Sequence, residues 1–137
     1  MSVLLDAFAL IALLADEPAA DDVEMLLRSG ETAITAVNLA EALDVLQRVQ
    51  GISSERLQEL TMPLVGKQIR LLPIDERIAR DAAGIRARRY HRTRSPLSLA
   101  DCILLAATGA SDALATADAP LIGAAEAENL RVRRLPR

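Results

Sequence analysis

Four carboxylates are the residues whose type and placement could do chemistry together: Asp6, Glu41, Asp101 and Asp118. Gathered in one place, they would form an all-oxygen donor set suited to a hard divalent cation. A Cys/His zinc centre is excluded, because the chain has one cysteine and one histidine. Each acid also has a purely structural explanation. Asp6 can cap the helix that follows it, and Asp118 can be a turn residue ahead of Pro120. Asn38-Leu39-Ala40-Glu41 and Ser98-Leu99-Ala100-Asp101 both read as capping boxes, with the acid three residues after the cap. Two features weigh against capping alone. Glu41 lies in Leu-Ala-Glu-Ala-Leu and Asp101 in Leu-Ala-Asp-Cys-Ile-Leu-Leu, and a carboxylate among core residues is costly unless it is paired, hydrogen-bonded or bound to a cation. Moreover, no Lys or Arg is adjacent in sequence to any of the four, so together they would repel one another without a metal.

The elements that must position these acids follow from periodicity. Val3-Leu4-Leu5 is a short apolar run fit for a strand buried on both faces, ending at Asp6. Ala7 to Leu14 is helical, and a second helix restarts at Asp16-Glu17-Pro18 and ends at Ser29-Gly30. Thr32 to Thr35 is a second strand. A long amphipathic helix runs from about Val37, with Leu39, Leu43, Leu46 and Val49 at helical spacing. Leu57, Leu60, Leu64 and Val65 mark the next helix, closed by Gly66. A third strand, Ile69 to Leu72, ends at Pro73. Asp75 caps a helix, another runs from Ser98 through Ala107, and Ala113 to Thr116 is a fourth strand. After a last short helix, Arg131 to Leu135 alternates as a charged edge strand. Strands alternating with helices indicate an α/β fold: three α/β/α layers around a parallel sheet of about five strands. With right-handed crossovers, Asp6, Glu41 in the first turn after strand two, Asp101 and Asp118 all fall at the carboxyl edge of that sheet. Whether they converge depends on strand order, which the sequence leaves open; the usual meeting place is the switch point where the order reverses.

Composition bounds the rest. A chain of 137 residues fits one domain, 1–137. It is 51% hydrophobic but only 1% aromatic, so the core is aliphatic and extensive base stacking is excluded. A net charge of −3 argues against wholesale wrapping of nucleic acid. No apolar stretch approaches the roughly 18 residues of a membrane span, and Asp6 and Asp16 interrupt the first apolar run, so neither a span nor a secretory leader is expected. The expectation is a soluble, cytoplasmic protein. Cys102, inside an apolar run, reads as a core residue.

Leu5-Asp6-Ala7, Asn38-Leu39-Ala40-Glu41, Leu97-Ser98-Leu99-Ala100-Asp101 and Thr116-Ala117-Asp118 occur in an order and spacing that resemble the PIN domain family, specifically the VapC toxins of bacterial toxin–antitoxin pairs. The resemblance spans nearly the whole chain. It implies a Mg²⁺- or Mn²⁺-dependent endoribonuclease that hydrolyses RNA phosphodiester bonds. Asp6, Glu41 and Asp101 match the core acids and Asp118 the more variable fourth; Asp6, Asp101 and Asp118 would be metal ligands. Thr116 matches a hydroxyl position near the metal, Ser98 would orient Asp101, and Asn38 would support the acids from behind. The resemblance also implies a cognate antitoxin lying across the leucine-bearing helices at 37–65, and a homodimer. RNA entering an acidic pocket needs positive charge nearby, and Arg86, Arg88, Arg89, Arg92 and Arg94 form the dense basic segment just before Asp101. Rival readings are a Mg²⁺-binding phosphoacceptor module, a nucleotide-binding enzyme, and a PIN-like scaffold that binds RNA or a partner without cutting. The first would want paired acids after strand one and a lysine after the last strand. The second would want a Gly-rich phosphate loop. The chain shows neither pattern, its one lysine, Lys67, preceding strand three.

Overall fold

The computed structural model describes residues 1–137, in the order β1 (Ser2–Leu5), α1 (Ala7–Leu14), α2 (Ala20–Ser29), β2 (Glu31–Thr35), α3 (Ala36–Arg48), α4 (Ser54–Thr61), β3 (Ile69–Leu72), α5 (Glu76–Arg89), α6 (Leu99–Ala107), β4 (Ala113–Thr116), α7 (Ala119–Ala127) and β5 (Arg131–Arg134). The strands form one sheet in the order β3-β2-β1-β4-β5, every neighbouring pair parallel. β1 is central and wholly buried. Because side chains alternate across a strand, its residues feed two cores. Val3 and Leu5 join Ile34, Ala113 and Ala115 on the face covered by Ala9, Leu10, Val23 and Ala42. Leu4 joins Ala33 and Leu114 on the face covered by Ile85, Leu104, Leu105 and Leu121. The helices α1–α3 therefore pack one face and α5–α7 the other, which gives the three-layer PIN-like α/β fold.

Three local expectations need correction. α4 stops at Thr61 rather than running through Leu64 and Val65; those residues form a turn, and Gly66 adopts φ +80°, a left-handed conformation that glycine enters without a Cβ penalty. α2 begins at Ala20, leaving Pro18 in the turn before it. The third correction touches the acids. α3 is capped by Thr35, whose hydroxyl accepts the Asn38 N–H at 3.0 Å, not by Asn38. Asn38 thus lies inside the first turn and Glu41 in the second. The sequence Thr35-Ala36-Val37-Asn38 carried the S/T-x-x signature one turn earlier.

The order reverses between β1 and β4, the strands whose ends carry Asp6 and Asp118. The ladder between them continues one residue past β1, where the Asp6 N–H donates to the Ala115 carbonyl at 3.2 Å. The switch point of the sheet is thus bordered by two of the four acids.

Candidate metal centre

A cleft of about 370 Å³ opens at this switch point, and Asp6, Glu41, Asp101 and Asp118 all line it, together with Ser98. Phe8, Ile11, Val45, Pro96 and Pro120 supply its apolar wall, and Arg137 is its one basic residue. Three of the acids begin helices, and each commits an oxygen to that role. Asp6 Oδ1 accepts the Ala9 N–H at 2.9 Å at the start of α1. Asp101 Oδ2 accepts the Ser98 N–H at 3.0 Å while Ser98 Oγ accepts the Asp101 N–H at 3.0 Å, completing the capping box of α6. Asp118 Oδ2 accepts the Leu121 N–H at 3.1 Å at the start of α7. The structural and chemical readings of these residues are therefore not alternatives. One oxygen fixes each carboxyl on its helix, the helix makes no use of the other, and the positive ends of three helix dipoles favour the negative charge.

The electrostatics single out this cleft. Asp6 is only 5% exposed, and burial pushes its pKa up to about 6; hydrogen bonds from Thr116 and Ala9 oppose the rise, and the charges of Asp101 and Asp118 add to it. Burial also raises Asp101, against the pull of its two bonds with Ser98 and with the help of Asp118. Glu41 is raised by burial and then by Asp101. The acids feel one another, which they would not do at separate sites. Thr116 is fully buried; its oxygen accepts the Asp118 N–H at 3.0 Å, and its hydroxyl lowers the pKa of Asp6 through a looser contact, so one side chain bears on both acids at the switch point. Asn38 is also buried, its Oδ1 accepting from the Thr35 hydroxyl at 2.6 Å. Its amide nitrogen has no partner at full hydrogen-bond geometry, yet it lowers the pKa of Glu41, one turn along the same helix face, so that contact is a loose one.

No three of the acids are already drawn into a closed ligand group. Mg²⁺ keeps several waters and binds through one or two carboxylates plus substrate phosphate. The donor set, all oxygen with neither thiol nor imidazole lining the cleft, fits Mg²⁺ or Mn²⁺.

The basic segment divides. Arg88 and Arg89 bond the two oxygens of Glu128 at 3.0 and 2.9 Å. Glu128 closes α7, so this pair lies at the amino edge of the sheet, away from the acids. Arg86 donates to the Leu97 carbonyl at 3.1 Å and stacks 4.5 Å from the Tyr90 ring centroid. Arg92 and Arg94 are exposed in the loop ahead of α6. The sequence reading did not place Arg137 against Asp118, nor Phe8, Ile11 and Val45 on the cleft wall. The wall residues repeat at helical spacing and were legible only as core.

The chain belongs to the PIN domain family, whose model matches residues 3–131. PIN domains are generally nucleases, and that class of activity is what the membership supports. No curated protein matches the chain by sequence. Among solved structures, the fold matches a chain of VapBC2 from Rickettsia felis bound to a DNA fragment from their promoter, at 14% identity and TM-score 0.68, covering 99% of this chain and 100% of that one. It matches FitAcB from Neisseria gonorrhoeae at 25% identity and TM-score 0.68, with 95% of each chain covered. VapBC-1 from nontypeable Haemophilus influenzae matches at 18% identity and TM-score 0.67, with 98% of each covered. No helix is long and apolar enough to cross a membrane.

Proposed function

We propose that this chain is a Mg²⁺- or Mn²⁺-dependent endoribonuclease, the toxin of a VapBC-type toxin–antitoxin pair. The observation that carries the reading is the cleft itself: acids from four separate segments line one cavity at the β1/β4 switch point, and burial holds the most enclosed of them, Asp6, near pKa 6. Asp6, Asp101 and Asp118 would hold the cation through the oxygens their helices leave free. When bound, the cation would offset charge on the phosphate and lower the pKa of a water near it. Glu41, exposed at the cleft mouth and raised in pKa, would orient that water and take its proton. Thr116 would help hold Asp118 and Asp6, Ser98 would orient Asp101 through their capping box, and Thr35 with Asn38 would steady the helix that carries Glu41. Of the basic segment, Arg92 and Arg94 remain available to RNA, whereas Arg86, Arg88 and Arg89 serve the fold.

The likeness to VapBC structures supports an antitoxin partner, and assembly as a homodimer belongs to the same reading. Cleavage of RNA by the purified protein, with Mn²⁺ and with EDTA, beside Asp6→Asn, tests the activity. The expected result is cleavage that needs the metal and disappears in the variant. An EDTA-resistant cleavage that survives in Asp6→Asn would reject the site, and Mn²⁺ binding without cleavage would favour the non-catalytic RNA- or partner-binding module.

A further inference from the structure

Arg137 is the only basic residue lining the acidic cleft. Its Nη2 stands 3.6 Å from Asp118 Oδ1, while Asp118 Oδ2 is occupied by the Leu121 N–H. The guanidinium therefore rests on the oxygen that a cation would use. Its Nε also donates weakly to the Ala117 carbonyl, at 3.4 Å. The tail reaches this position because the Leu135 N–H donates to the Thr116 carbonyl at 2.9 Å and the Leu135 side chain is buried, anchoring the chain two residues before Arg137.

The grip on Asp118 is loose. At 3.6 Å it is longer than a charge-assisted hydrogen bond, and the side chains are 70% and 39% exposed. A pair of this kind adds little to stability and is readily exchanged. The other arginines of the molecule do not serve the cleft in this way. Arg88 and Arg89 are held by Glu128, and Arg134 by Glu126 at 3.3 Å. A phosphodiester entering a cleft lined by four carboxylates meets repulsion, and one planar guanidinium at the rim matches a phosphate with two parallel donors.

We infer that Arg137 is the substrate-phosphate contact of this site: it rests on Asp118 in the free protein and passes to an RNA phosphate once a cation takes its place on that carboxylate. The inference rests on the nuclease reading above and names the residue by which that site receives its substrate. Two consequences are opposite in direction. Without Arg137, RNA is held more weakly; without Arg137, a cation at Asp118 loses a competitor.

The test compares wild type, Arg137→Gln and Arg137→Lys, all checked for an unchanged thermal midpoint. Steady-state cleavage of a single-stranded oligoribonucleotide in Mn²⁺ is measured at several salt concentrations, and Mn²⁺ binding without RNA by calorimetry. Arg137→Gln is expected to raise KM about ten-fold or more, with a smaller change in kcat. The salt dependence of log KM should become shallower by about 0.7, the share of one phosphate contact on a single strand. Mn²⁺ binding should be as tight as in wild type or tighter, and Arg137→Lys should recover part of the KM. An active wild type with an Arg137→Gln variant of unchanged KM and salt slope overturns the inference alone. Loosened Mn²⁺ binding in Arg137→Gln also overturns it, since Arg137 would then act by holding the ligand set. A wild type that neither cleaves RNA nor binds Mn²⁺ takes the nuclease reading down, and this inference with it.

Discussion

The two edges of the sheet treat carboxylates in opposite ways. At the amino edge, burial alone would raise the pKa of Glu128, but the guanidiniums of Arg88 and Arg89 outweigh it and hold the group below the usual range. Asp112 at the same edge is also spoken for: its oxygens accept the N–H groups of Ser2 at 2.9 Å and Gly109 at 3.2 Å, closing the turn into β4. At the carboxyl edge, Asp6, Glu41 and Asp101 have no cation beside them, and burial raises all three. The fold holds a basic partner for Glu128 and none for Asp6. Glu128, gripped by two arginines, is part of the scaffold. Asp6, buried without a match, is where the proposed site would take charge from outside.

The largest effect expected from this contrast is on chemistry. Asp6→Asn should lower metal-dependent cleavage by on the order of 10³-fold, because the most enclosed ligand is lost. The same substitution should act in the opposite direction on stability. The folded state keeps Asp6 protonated up to about pH 6, whereas the unfolded chain releases that proton near pH 4. Between those values the folded state binds more protons, so the metal-free protein loses stability as pH rises through that window, by about 3 kcal/mol from Asp6. Glu41 and Asp101 shift the same way and steepen the loss. Urea unfolding in EDTA from pH 4 to 8 checks this, and Asp6→Asn should be the more stable protein at pH 8 by about 2 kcal/mol. Saturating Mn²⁺ at 100 times its Kd should restore about 2.7 kcal/mol to wild type and little to the variant.

A smaller, opposite effect belongs to the other edge. Glu128→Gln should cost about 1 kcal/mol at neutral pH, since the arginines it pairs are partly exposed. Its contribution is present above the ordinary glutamate value and fades as pH falls through its lowered folded value, the reverse of Asp6. Smallest of all is the expected effect of Arg88→Gln on cleavage. KM for RNA should stay within about two-fold of wild type, because that side chain faces Glu128 rather than the cleft. A rise comparable to that predicted for Arg137→Gln would blur the distinction between the edges.

Much of this was legible in the residues. Apolar or β-branched runs near Pro, Gly and Asp marked the first four strands, charged alternation marked the last, and alternation with helical spacing was enough for a parallel three-layer sheet. The Ser98–Asp101 capping box was readable directly, and its bonds are both formed. Other features were set by a competing local signal, as at Asn38, or by tertiary contacts that a linear pattern does not carry. Asn38 looked like the cap of α3, but Thr35 at the end of β2 takes that role, because its hydroxyl meets the Asn38 N–H one turn earlier. Arg88 and Arg89 looked like part of a free basic strip, yet their partner is Glu128, about forty residues away on α7. Arg137 follows the charged edge strand and showed no sign of its partner in sequence; only the Leu135 anchor on β4 brings it to Asp118. The order of the strands, which decides whether acids on one edge also share one cleft, lay wholly outside the periodicity.

The most direct measurement is an anomalous difference map from crystals grown in Mn²⁺. The account predicts a peak in the cleft, bonded by Asp6 and Asp101 through the oxygens their helix caps leave free, with Asp118 beside it and Arg137 displaced. A peak elsewhere, or an empty cleft at saturating Mn²⁺ with Arg137 still on Asp118, would contradict it.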